Sequence, residues 1–357
     1  MTTSEKKNTR LLELSYLNVL FCVMVIFVHI LSEPITALEC TNFRYLAVYA
    51  PWKLFQFVTQ GFVFLSGLKL FMKDRTQMKI GRFYLDRARR VVAPYVLWVI
   101  IYYVYFIVIG WYNFSLTELL RYIFVGDLVA HFYFVIIICQ MYILTPFIAK
   151  FFKKCSPYIA LIYSLFISVL FGQYLTHVLS VISPDISFAY NDRLFTTYIF
   201  YFIGGAAVGI NYSEIIKKLR EAKITVYTMF LLLSLTNLML SYMSFSGITY
   251  IHWCDTLHFA YCVSAILASL TFAAGFVQKH PVLPRGVSKI IKSADNSSYM
   301  LYLSHILVIL ITRRHLDYTA CGIGLRLIVT VSVLALYTVI SSLVWNYIKG
   351  KMKCIRA

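Results

Sequence analysis

Charge is what this sequence has least of. Only 13% of its 357 residues are Asp, Glu, Lys or Arg, against 60% hydrophobic and 17% aromatic, and the mean hydropathy is +0.75. A soluble domain is roughly 45–50% apolar and about 25% charged. Half the usual charge cannot cover a water-facing surface of this size. That excludes a soluble enzyme, a disordered chain and a collagen-like chain. The ten-residue alternation of barrel strands is missing too, and the apolar runs are continuous over about 20 residues. Lipid admits only helices and closed barrels, so the expected fold is all-α, a polytopic transmembrane helical bundle.

Other absences narrow the chemistry. The 8 cysteines (22, 40, 139, 155, 254, 262, 321 and 354) contain no C-x-x-C pair and lie mostly inside apolar runs. They are expected to act as small buried hydrophobes, with neither a metal site nor a disulfide framework. G-x-S-x-G, H-E-x-x-H and Walker-type phosphate loops are all missing, which disfavours ATP-driven transport by this chain alone. Repeats, Pro-rich linkers and low-complexity stretches are missing as well, so residues 1–357 are expected to form a single membrane-embedded domain. The first apolar run is long and lacks a small-residue cleavage site, so it is expected to remain as a span.

About ten spans are expected, near 12–33, 48–72, 91–111, 131–152, 157–179, 194–210, 223–244, 254–277, 298–313 and 322–347. The balance is strongly basic, 33 Lys and Arg against 15 Asp and Glu. In a soluble protein that would suggest nucleic acid. Here the basic residues sit in short loops, where they orient the chain and meet an anionic leaflet. One set of alternate loops holds Lys6, Lys7 and Arg10, the Lys69 to Arg90 segment, Lys150, Lys153 and Lys154. The same set holds Lys217, Lys218, Arg220 and Lys223, then Lys279 to Lys292, and the tail Lys349 to Arg356. The other set holds only Arg44, Arg121, Arg193, Arg313, Arg314 and Arg326, with Lys53 just inside a span. Both termini are therefore expected in the cytoplasm. Arg313-Arg314 breaks the pattern locally.

Within the spans, His29 stands out in Val25-Ile26-Phe27-Val28-His29-Ile30. At 1.5 Å per residue it sits about 25 Å above Leu12, in the outer part of the hydrocarbon core. An ionisable group there is a functional candidate, or a histidine hydrogen-bonded between helices. Asn18 precedes it by eleven residues and shares its stripe, with Glu13 and Tyr16 nearby. Such a stripe faces a cavity or glues helices. Arg87 and Arg90, at i, i+3 before the third span, would share one helix face. They suit phosphate recognition through their planar donor forks, or anchoring to anionic lipid. His131 and His305 open or punctuate later spans, either as functional groups or as interfacial polar tips beside aromatic belts.

In order along the chain, these pieces resemble the acyltransferase-3 family of integral membrane acyltransferases. The family's first span usually carries an Arg, ten residues, then a His. Here Asn18 stands at the Arg position and His29 at the His position. Phe62-Val63-Phe64-Leu65-Ser66-Gly67 is similar to the family's FFxLSG phrase, and Arg87-Ala88-Arg89-Arg90 with Pro94 to its Arg-x-x-Arg and trailing Pro. His131-Phe132-Tyr133-Phe134 through Gln140 and Pro146, Tyr201-Phe202-Ile203-Gly204-Gly205, and Ser298-Tyr299 through His305 resemble later phrases. Leu12-Glu13-Leu14-Ser15-Tyr16-Leu17 is similar to members of surface-polysaccharide systems, the poly-N-acetylglucosamine exporter/O-succinyltransferase subgroup.

The resemblance implies an acyl-CoA-dependent O-acyltransferase of the cell membrane, moving acetyl or succinyl to a hydroxyl of an envelope or lipid-linked glycan. It implies His29 as the catalytic residue, with Arg87, Arg90, Asn18 and Ser66 binding the donor or substrate. Glu13, His131, Gln140, Tyr299 and His305 would be accessory. Acyl-CoA enters as co-substrate with no tightly bound cofactor and no metal. The lipid bilayer, the glycan acceptor and polysaccharide synthase components are the implied partners, and nucleic acid is not. The alternative is a polysaccharide exporter without acyl chemistry. The middle spans offer no clear carboxylate, which argues against proton coupling.

Overall fold

The computed structural model describes residues 12–40, 43–73, 78–182, 190–249, 253–280, 284–315 and 322–354. Lys6, Lys7, Arg10, Arg75 and Arg356, used above to sort the loops, lie outside them. The described residues form helices and no strand, as the composition requires. In chain order the helices begin with α1 (Leu12–Ala37), α2 (Phe43–Phe55), α3 (Val58–Phe71), α4 (Ile80–Arg87) and α5 (Ala93–Val108). Next come α6 (Leu116–Val125), α7 (Tyr133–Lys154), α8 (Pro157–Val169), α9 (Leu175–Ile182) and α10 (Phe195–Ile210). The last are α11 (Tyr212–Glu221), α12 (Lys223–Phe245), α13 (Cys254–Lys279), α14 (Arg285–His315) and α15 (Ile323–Cys354). Eight helical stretches among the described residues are long and apolar enough to cross a membrane.

The other two expected spans are also helical. Residues 157–179 fall on α8, a π-helical turn at Leu170–Tyr174 and the start of α9. Residues 298–313 are the apolar half of α14, whose first half is polar. Hydropathy reads Lys289, Lys292, Asp295 and Asn296 as loop, whereas the helix runs through them and assigns each to a face. Two short helices were also expected as loop. One of them, α6, has its signal in plain view: the Ser115 side chain caps it by accepting from the Glu118 N–H, and Gly126 ends it at φ 71°.

The chain divides into two compact units, residues 1–58 with 216–357, and residues 59–215. In the first, α1 packs on α2, α13, α14 and α15, and α12 pairs with α13. An aromatic cluster of Tyr45, Tyr49, Trp52 and Tyr242 closes over Ile35, and the Tyr242 hydroxyl donates to the Cys40 carbonyl at 2.7 Å. In the second unit, α3 and α10 meet backbone to backbone. A Cβ on Gly67 would strike the Phe202 carbonyl, one on Gly205 the Phe64 carbonyl, and one on Gly209 would lie 2.5 Å from the Leu68 carbonyl. Small residues four apart allow this approach where hydrophobicity does not drive helices together.

Candidate functional site

The polar residues of α1 and α14 meet along one seam in the first unit. At one end lies Asp295, 3% exposed. Its Oδ2 accepts from the Ser15 hydroxyl at 2.7 Å, and its Oδ1 from the Asn18 amide at 2.8 Å. Asn18 Nδ2 also lies 2.7 Å from Ser298 Oγ, whose hydroxyl donates to the Asp295 carbonyl at 2.9 Å. A buried carboxylate is costly unless donors satisfy it, and here α1 supplies neutral donors to both oxygens. Asn18 therefore docks α1 on α14 through its amide.

Farther along the seam stand two histidines. The His29 and His305 rings lie 5.2 Å apart, centroid to centroid. His305 is completely buried, which corrects the interfacial-tip expectation for it. Its Nδ1 lies 2.7 Å from the Tyr302 carbonyl and 3.2 Å from that of Leu301. A carbonyl only accepts, so Nδ1 carries a hydrogen that points to the backbone. His29 is half-buried, and its backbone carbonyl accepts from Ser32 Oγ at 2.7 Å.

The seam ends in charge. One turn beyond His29, Glu33 pairs with Arg313 of α14 at 2.9 Å and Arg326 of α15 at 3.4 Å. This explains the local break in loop charge at Arg313-Arg314: Arg313 is bound to a carboxylate of α1, and Arg314 is exposed. Two other arginines of the sparsely basic loops are held likewise, Arg121 by Glu118 and Asp127, and Arg193 by Asp192.

The remaining expected site residues separate. Glu13 and Tyr299 are half-buried on α1 and α14. Ser66, Arg87, Arg90, His131 and Gln140 belong to the second unit. His131 is 1% exposed and packs beside Phe132 and Tyr102, with centroids at 4.6 and 6.2 Å, so it is not an interfacial tip either. Gln140 binds the start of α10, donating to the Arg193 carbonyl and accepting from the Phe195 N–H, both at 2.8 Å. Ser66 is half-buried next to the Gly67 crossing.

Arg87 and Arg90 do not share one α-helical face. A π-helical turn at Ala88–Val92 separates α4 from α5. The cause is Pro94, which lacks the N–H to bond the Arg90 carbonyl and whose ring would clash with it. A wider turn relieves that clash, and such turns recur at functional sites. Arg87 is half-buried, its guanidinium 5.3 Å from the Phe83 ring and 5.2 Å from the Tyr142 ring. Arg90 is exposed.

Sequence reasoning missed Asp295 and Glu33. The signal for Asp295 was the run Asp295-Asn296-Ser297-Ser298, which carries four polar residues straight into an apolar span opposite Asn18.

A family model described as an acyltransferase domain, acyltransferase-3, matches residues 11–346. No curated protein and no solved structure matches the chain. The match spans all the helical elements that build the seam, and the chain is thus a multi-pass membrane acyltransferase belonging to the acyltransferase-3 family.

Proposed function

We propose that this protein transfers an acyl group, acetyl or succinyl, from acyl-CoA to a hydroxyl of a cell-surface or lipid-linked glycan. One observation carries the placement of the chemistry: two histidines in ring contact on a polar seam between membrane helices. His29 takes the proton of the acceptor hydroxyl as its oxygen attacks the thioester carbonyl. The C–O bond forms, the C–S bond breaks, and the CoA thiolate leaves with a proton. His305, its Nδ1–H tied to backbone carbonyls, holds a fixed ring beside that base. Transfer through an acyl-His29 intermediate uses the same geometry. The test supplies radiolabelled acetyl-CoA and succinyl-CoA to membranes holding the protein and reads label in the glycan. Label that never leaves CoA, while glycan still reaches the cell surface, favours the exporter. Asp295 offers that exporter a carboxylate, yet both its oxygens are bound to α1 in a way that fastens helices together.

The donor's phosphates would meet the basic segment before α5. Charge-assisted contacts to phosphate contribute about 1.5–3 kcal/mol each. Arg90→Ala should therefore weaken acyl-CoA binding about tenfold or more, with little change in thermal stability. Arg87→Ala should lower both, because its guanidinium also lies against Phe83 and Tyr142. Calorimetric titration with acyl-CoA separates the two effects, and unchanged affinity in both variants returns the pair to lipid anchoring.

The proposed location is the cell membrane with both termini cytoplasmic, which puts Arg82, exposed on α4, inside. In intact cells Arg82→Cys should stay at the native-thiol background with a membrane-impermeant maleimide, and label after lysis. Labelling of intact cells would reverse the orientation.

A further inference from the structure

On the far side of α14 from the histidine seam, a cleft of about 570 Å³ opens between α14 and α15. Lys289, Lys292, Ser293 and Asn296 line it from α14, spaced i, i+3, i+4, i+7 and so on one helix face. Asp295, Ser298 and His305 lie on the face toward α1, so a molecule in the cleft does not reach His29. Two ammonium groups, on Lys289 and Lys292, match a phosphate group. The α15 hydroxyls of the lining are engaged within the protein, Thr338 donating to the Leu334 carbonyl at 2.7 Å and Ser342 Oγ lying 2.8 Å from Ser297 Oγ. The remaining wall is apolar: Ile290, Val339 and Leu343 line the cleft and are 69%, 58% and 64% exposed. It continues onto a helix whose mean hydropathy reaches 2.3 while only 17% of that window is buried within the protein. A free nucleotide or inorganic phosphate would leave that wall uncovered. A ligand with an anionic head and apolar tails covers both parts.

We propose that the cleft between α14 and α15 binds the phosphate headgroup of an anionic membrane lipid through Lys289 and Lys292, with its acyl chains along α15. Basic pockets between membrane helices hold such headgroups, and each lysine near an anionic lipid contributes about 1 kcal/mol. The site is independent of the acyl-transfer chemistry, so the outcome of one does not decide the other.

Native mass spectrometry of the purified full chain, titrated with phosphatidylglycerol or phosphatidylcholine, reads the occupancy. Phosphatidylglycerol should be retained over phosphatidylcholine. Lys289→Gln with Lys292→Gln should weaken its binding roughly thirtyfold, the equivalent of about 2 kcal/mol. Lys289→Arg with Lys292→Arg should keep it, and Lys217→Gln with Lys218→Gln should leave it unchanged. Leu343→Trp fills the apolar side without touching charge and should also displace the lipid, which keeps the site testable where the glutamine pair fails to fold. Equal binding of the two lipids, unchanged binding in the glutamine pair, or displacement by inorganic phosphate or free CoA alone would overturn the proposal.

Discussion

His29→Ala is expected to lower acyl transfer by about 10²–10⁴-fold, the usual contribution of a positioned general base, while expression and acyl-CoA binding stay close to those of the unaltered protein. The expectation rests on three features of the seam. The ring lies in a helix that buries Val25, Ile26 and Ile30 around it, so its place is fixed by packing. It contacts a second imidazole whose Nδ1–H is held by two backbone carbonyls. Neither Asp295 nor Glu33 depends on it: Asp295 is held by Ser15 and Asn18, and Glu33 by Arg313 and Arg326. Removing the imidazole therefore leaves the fastenings between α1, α14 and α15 in place. Single-turnover transfer from labelled acyl-CoA reads the chemistry, and equilibrium titration of the same variant reads donor binding. A His29→Ala protein that binds donor and transfers at a near-normal rate removes the histidine from catalysis.

The same seam changes what Asn18 means. Its amide donates to Asp295, at the position where the resembling pattern carries Arg. A guanidinium there would face a carboxylate already buried on α14, and the pair would be ionic where Asn and Ser now satisfy it with neutral donors. An ionisable partner for position 18 thus exists in this chain, 277 residues away in sequence.

How far the sequence revealed the site follows from what hydropathy can register. His29 was legible because one ionisable residue interrupts an otherwise apolar run. Asp295 was not, because it lies just outside such a run, among Lys, Ser and Asn that look like a loop; only the helix geometry of α14 turns it toward Ser15 and Asn18. The aligned Arg87 and Arg90 failed for a local reason also present in the sequence, Pro94 four residues after Arg90, whose ring forces the wider turn. Gln140 and His131 entered through the family-like phrase from His131 to Pro146, and packing assigns Gln140 to the backbone at the start of α10 and His131 to an aromatic wall. The spans, by contrast, follow from composition and run length, which depend on no partner.

Gly205→Ala is expected to destabilise the protein by about 3 kcal/mol, although in an open helix the same change is favourable by roughly 0.5–1 kcal/mol. The sign reverses because the added methyl has nowhere to go. At Gly205 it would occupy the position of the Phe64 carbonyl and crowd the Leu68 nitrogen, and these belong to helix backbone, which cannot swing aside as a side chain can. Relief requires α3 and α10 to move apart, which also loosens the Gly67 and Gly209 contacts in the same crossing. Gly275 on α13 supplies the control, since a Cβ there meets no atom within 4 Å. Gly275→Ala should leave the melting temperature unchanged or raise it slightly, whereas Gly205→Ala should lower it by roughly 4 °C. Thermal unfolding followed by size-exclusion chromatography of detergent-solubilised protein compares the two directly. Equal melting temperatures for both variants would mean that α3 and α10 do not meet through their backbones.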